Sequence, residues 1–110
     1  MIKFDITDPL YFMKIEMVEA LRQVIDPELH INIIDMGLVY NLIIDTPEKR
    51  IKVFMTLSSR YCPMGESIVS AVKNCLELRF PKYKTEVELV WEPVWNYDSI
   101  TEEGKRLLSF

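Results

Sequence analysis

Cysteine, glycine and histidine are scarce in this chain, which holds two, three and one of them among 110 residues. The isolated glycines Gly37, Gly65 and Gly104 cannot build a GxGxxG turn or a P-loop, so no nucleotide cofactor is expected. Two cysteines without CxxC spacing give neither a zinc ribbon nor a disulfide framework. A domain of this length buries roughly two-thirds of its unfolded surface and needs no such staple. Long apolar runs are also missing. The longest is the four residues Leu10 to Met13, against the ~20 that a membrane helix requires. The first residues, with Lys3, Asp5 and Asp8, lack the apolar core of a signal peptide. A cytoplasmic protein with no membrane partner is expected, and in a reducing cytosol both Cys62 and Cys75 should be free thiols. Positive charge is not in excess either. A net charge of -4 argues against a phosphate-binding face, so no nucleic acid partner is expected.

What is present reads as one α+β domain spanning residues 1–110. Asp8-Pro9 has the form of an N-cap followed by a first helical residue, and Met13, Met17, Ala20, Leu21 and Val24 lay one apolar stripe along a helix ending near Ile25. Pro27 disfavours helical angles at Asp26, and residues 26–32 read as a loop. A strand over Leu38–Asp45 turns at 46–50 into a second, in which Ile51, Val53, Met55 and Leu57 alternate with polar or outward residues. A helix from Pro63 to about Phe80 follows, with Ile68, Val72, Cys75 and Leu76 on its buried side and Pro81 marking the exit. Glu86–Trp91 alternates as a third strand, with Val87, Leu89 and Trp91 toward the core. Ser99 and Glu102 have the spacing of a capping box before a short terminal helix. The order helix, strand, strand, helix, strand, helix predicts a two-layer sandwich, a small mixed sheet with helices on one face.

Cys62 stands where the second strand hands over to the second helix, followed directly by Pro63. As N-cap, with proline at the first helical position, its sulfur would face the positive end of the helix dipole. That placement lowers a thiol pKa by up to about 1.5 units from its usual ~8.5. Cys75, inside the apolar stripe, reads as core filling. Trp91 reads as core closure. Trp95 is open to either core closure or protein docking, and Tyr61, Met64 and Trp95 could form a docking surface around the thiol.

Three stretches carry a family resemblance: residues 24–40, containing Asp26-Pro-Glu-Leu-His30 and Asp35-Met-Gly-Leu-Val-Tyr40; residues 55–64 around Cys62; and Trp91-Glu-Pro-Val-Trp95 before a capped helix. Over about residues 14–108 the chain resembles the SufT/PaaD family of metal-sulfur cluster biosynthetic proteins. The resemblance implies an iron-sulfur assembly domain-like fold and a role in maturing iron-sulfur proteins. By position it places the acidic loop on Asp26, Glu28 and Asp35, a hydroxyl on Ser58 where threonine is usual, and the metal- or cluster-binding thiol on Cys62, all at one end of the sheet. His30 occupies a position where glycine or another small residue is expected, and any metal-ligand role for it would be peculiar to this chain.

Clusters normally take four thiolate-type ligands, more than two cysteines supply. The reading is therefore an accessory or adaptor, not an enzyme, that promotes cluster delivery to apoproteins through Cys62 and partner docking. Any iron-sulfur cluster would be transient, shared between protomers or completed by a partner. Iron-sulfur assembly proteins and apoprotein clients are the expected partners, and a homodimer is an open arrangement because a small sheet leaves edge strands. One alternative is a PaaD-like accessory to an oxygenase of phenylacetate-type degradation. Another is a thiol enzyme with Cys62 as nucleophile, for which His30 is the only histidine base available.

Overall fold

The alternating residues Ile51, Val53 and Met55 form the centre of a three-stranded sheet. The computed structural model describes residues 4–59 and 64–108. Its elements are α1 (Tyr11–Leu21), β1 (Val39–Asp45), β2 (Arg50–Met55), α2 (Gly65–Arg79), β3 (Lys84–Leu89), a 3-10 turn (Tyr97–Ser99) and α3 (Glu102–Leu108). This is the expected α+β order with one short turn added. The sheet runs β1-β2-β3, antiparallel between β1 and β2 and parallel between β2 and β3. A parallel pair needs a long crossover, and α2 supplies it.

One face of the sheet is the core. Val39 of β1 pairs with Met55 of β2, Leu42 with Val53 and Ile44 with Ile51, and on the other side of β2 Val53 pairs with Val87 and Ile51 with Thr85. Because side chains alternate along a strand, Val39 and Leu42 can share a face only if a residue is inserted between them. The register shift between Val39 and Asn41 is that insertion. Met17 and Leu21 of α1, with Ile68, Val72 and Leu76 of α2, complete the same cluster of buried side chains. On the open face Arg50 and Lys52 of β2 meet Glu86 and Glu88 of β3 at 3.4 and 3.2 Å.

Several boundaries differ from the sequence reading. Asp8 does not cap α1. Its carboxylate and carbonyl accept the Leu10 and Tyr11 N–H groups, closing a separate turn ahead of the helix. The helix ends at Leu21 because the next residues tighten into i to i+3 bonds, Gln23 N–H to Ala20 and Val24 N–H to Leu21. The N-cap of α2 is Met64 rather than Cys62, and the helix begins at Gly65, where any side chain would press on Leu57. β3 starts at Lys84, whose N–H reaches Lys49, and stops at Leu89. As an edge strand it leaves Leu89 37% exposed despite its place on the core row. Finally, Thr101 caps α3 by accepting the Gly104 N–H, while Ser99 belongs to the 3-10 turn.

Candidate functional site

The loop from Asp26 to Gly37 is built on two buried aspartates. Asp26 follows α1 and precedes Pro27, so its side chain is free to fold back on its own backbone. Its Oδ1 accepts the N–H groups of Glu28 and Leu29 at 2.7 and 3.1 Å. The Asp26 N–H donates to Ile31, and the Asp26 carbonyl accepts from His30, which closes the loop on itself. The closure places His30 at φ 60, a left-handed conformation that glycine adopts without strain. This explains why a small residue is expected there; histidine is among the residues that tolerate it. The other carboxylate oxygen, Oδ2, is buried without a hydrogen-bond partner among the described residues, although the residue is only 1% exposed. Glu28 is exposed at the outside of the same turn.

Asp35, 5% exposed, has no oxygen to spare. Oδ2 accepts from Asn32 Nδ2 at 2.7 Å and Arg22 Nη1 at 3.1 Å, and Oδ1 accepts from Thr101 Oγ1 at 2.9 Å. Burial pushes its carboxyl up, but the hydrogen bonds from Asn32, Thr101 and Arg22, with the guanidinium charge, outweigh that and hold it below the ordinary value. The Asp35 carbonyl also takes the Thr101 N–H, so one residue ties α1, the loop and α3 together. Nearby, the Trp95 indole donates to the Met36 carbonyl at 2.6 Å, which makes Trp95 a closing residue of the fold with its polar atom already used. Gly37, at φ 75, passes so close to the Ser99 carbonyl that any Cβ would collide with it.

Arg60 to Pro63, which include Tyr61 and Cys62, lie outside the described residues. Ser58 and Trp95 share a depression of about 200 Å³ with Trp91 and Glu92. Met64, 42% exposed, lines another of about 410 Å³ with Pro27, the neighbour of Asp26. Ser58 and Trp95 are thus brought together on one flank and Met64 and the Asp26 loop on the other, whereas Asp35 is committed to the α3 junction. Cys75 is half-buried, its Sγ 3.1 Å from the Ala20 carbonyl. Burial pushes its thiol up against the opposing effect of Arg79, as a packing role requires. Among the described residues no three His, Cys, Asp or Glu side chains gather into a metal-binding group.

The sequence reading did not pick out Arg22, Asn32 or Thr101. Asn32 had a local signal, since an Asn three positions before Asp35 can accept that residue's N–H, as it does at 2.9 Å. Arg22 and Thr101 meet Asp35 across 13 and 66 positions, and no spacing rule reaches them.

Comparison with known proteins gives this geometry a context. A family described as iron-sulfur cluster assembly protein matches residues 15–89. The Fe-S protein maturation auxiliary factor SufT of Staphylococcus aureus is 45% identical over 83 residues, covering 74% of this chain and 92% of that protein. The Fe-S protein maturation auxiliary factor YitW of Bacillus subtilis is 39% identical over 94 residues, covering 84% and 90%. Among solved structures, a domain of unknown function DUF59 from Bacillus anthracis superposes with a TM-score of 0.83 at 34% identity, covering 89% of this chain and 92% of that one.

Proposed function

The chain belongs to the iron-sulfur cluster assembly protein family and is SufT-like, and from that premise we propose that it is an auxiliary factor that uses Cys62 to hand clusters to apoproteins. The cluster is cargo. Cys62 supplies one thiolate, and the remaining ligands come from the donor, the client or a second thiol source, because the described side chains gather no ligand set of their own. Partners dock on the flanks of the Cys62 segment, where Met64 is exposed and Tyr61 adjoins the thiol in sequence. Trp95 acts there by holding the Ser58 depression in shape.

The observation that carries this reading is the buried, unpartnered oxygen of Asp26. A buried carboxylate oxygen with no partner costs about 1–3 kcal/mol or more and calls for a reason to be kept. It sits in the loop that shares a depression with Met64, two peptide units along the chain from Cys62. Once a docking partner displaces the side chains that cover it, this carboxylate oxygen can accept a hydrogen bond from an incoming ligand or bind iron at the moment of transfer. Glu28, exposed on the same turn, adds negative charge toward cationic iron, and Ser58 offers a hydroxyl from the other flank.

The test is complementation of cells lacking this protein, reading the activity of an iron-sulfur enzyme together with that enzyme's total protein. Cys62→Ser should lower the active fraction by about tenfold or more, and Asp26→Asn by a smaller factor, on the scale of losses at metal sites and their supporting residues. Full complementation by Cys62→Ser would overturn the thiol role.

A further inference from the structure

A cleft on the open side of the sheet begins at Gly37, the last residue of the Asp26–Gly37 loop. It encloses about 690 Å³, within the range of ligand-binding clefts, and is lined by Tyr40, Phe54, Pro93 and Val94 with Glu92 and Asp98 among its polar groups. Glu92 and Val94 also line the Ser58 depression, so the cleft is continuous with one flank of the Cys62 segment. Its charge is one-sided. Glu86 and Glu88 on the neighbouring sheet surface are each paired with a cation, whereas among the described residues neither Glu92 nor Asp98 has an ion-pair partner and no Lys, Arg or His lines the cleft. Glu92 and burial together push the Tyr40 phenol up, burial contributing more, which keeps that ring neutral beside the carboxylates. The Phe54 ring already attracts a cation, the Lys52 ammonium 5.2 Å from its centroid.

We infer that this cleft binds an arginine-bearing segment of a partner protein. Unpaired carboxylates supply the charge complement, and aromatic faces favour a guanidinium over a strongly hydrated ammonium. The Tyr40 hydroxyl donates to the Pro93 carbonyl at 2.8 Å and so holds the 92–99 loop over the sheet, leaving the cleft formed before a ligand arrives. That the partner is an assembly or client protein rests on the function proposed above; the recognition chemistry does not.

The test is a ¹H–¹⁵N titration of the full chain with a short blocked glycine-arginine peptide and its glycine-glutamate counterpart. The arginine peptide should give saturable shifts at the amides of Gly37, Tyr40, Val94 and Ser99, weakening as salt rises. Affinity should fall about tenfold in Glu92→Gln/Asp98→Asn, a double neutralisation at the rim of a charged interface, and stay unchanged in Cys62→Ser. The unchanged spectrum outside the cleft reports that the double variant is folded. Equal shifts with the glutamate peptide, undiminished binding by the double variant, or no saturation into the millimolar range would overturn the assignment. Because Cys62→Ser retains the cleft, a failed thiol role would leave this titration intact.

Discussion

Asp26 and Asp35 stand at opposite ends of one loop, both buried, and their surroundings could hardly differ more. Asp35 receives side-chain donors from three directions and fastens α1 to α3. Among the described residues Asp26 receives only backbone N–H groups on one oxygen and leaves the other buried and unpartnered. Sequence similarity to a family treats both as acidic-loop residues, but physical satisfaction separates them. A carboxylate with both oxygens engaged contributes to stability and has little left for a ligand, while one with an orphaned oxygen costs stability and keeps an acceptor in reserve.

The contrast breaks first at Asp35. Replacing it with alanine strands the Asn32 amide, the Thr101 hydroxyl and the Arg22 guanidinium, and should cost about 3 kcal/mol in urea unfolding, lowered from the fully buried case because Arg22 is partly exposed. A loss below about 1 kcal/mol would mean that the network is ornamental. The next effect is a pH dependence. The Asp35 carboxyl lies lower in the folded than in the unfolded chain, so its contribution is complete above the unfolded value of ~3.9 and is lost as pH falls through the folded one. Asp5 and Asp8, lowered by their hydrogen bonds to Thr7 and Lys14, act in the same direction. The quantity to follow is therefore the gap in unfolding free energy between wild type and Asp35→Ala, which should narrow as pH falls below the unfolded value of ~3.9; a gap that stays constant on acidification would contradict the lowered carboxyl. The smallest effect belongs to Asp26→Asn. Its carbonyl oxygen can still accept the Glu28 and Leu29 N–H groups, so thermal unfolding should report a change within about 1 kcal/mol. A loss as large as that of Asp35→Ala would erase the distinction between the two residues.

Much of the architecture was legible because it rests on local periodicity. The alternation of Ile51, Val53 and Met55 and the stripe Ile68, Val72 and Leu76 each identify a buried face without outside information. Proline at position 81 marked an exit, and α2 does end just before it. Legibility failed where a short polar side chain had two local options. Asp8 closes a turn instead of capping a helix, and Thr101 takes the capping role that the Ser99–Glu102 spacing suggested, since a short polar side chain can bond nearby backbone N–H groups in either arrangement. Within the site, the Asp26 turn was readable from Asp-Pro. The Arg22–Asp35–Thr101 junction was not, because contacts across 13 and 66 positions depend on the finished packing. The bulge at Tyr40, which keeps Val39 and Leu42 on one face, likewise appears only once β1 is paired.

A three-stranded sheet has two free margins, and unpaired N–H groups on such margins invite other chains to add as further strands. Here each margin has an N–H occupied by a side chain. On β1 the Asn41 carboxamide takes the Leu42 N–H at 2.9 Å, and on β3 the Glu77 carboxylate takes the Thr85 N–H at 3.2 Å. An incoming strand must displace these bonds before it can form its own. The sheet is thereby guarded against runaway edge-to-edge polymerisation, and self-association through a continuous six-stranded sheet is penalised relative to contact through side chains.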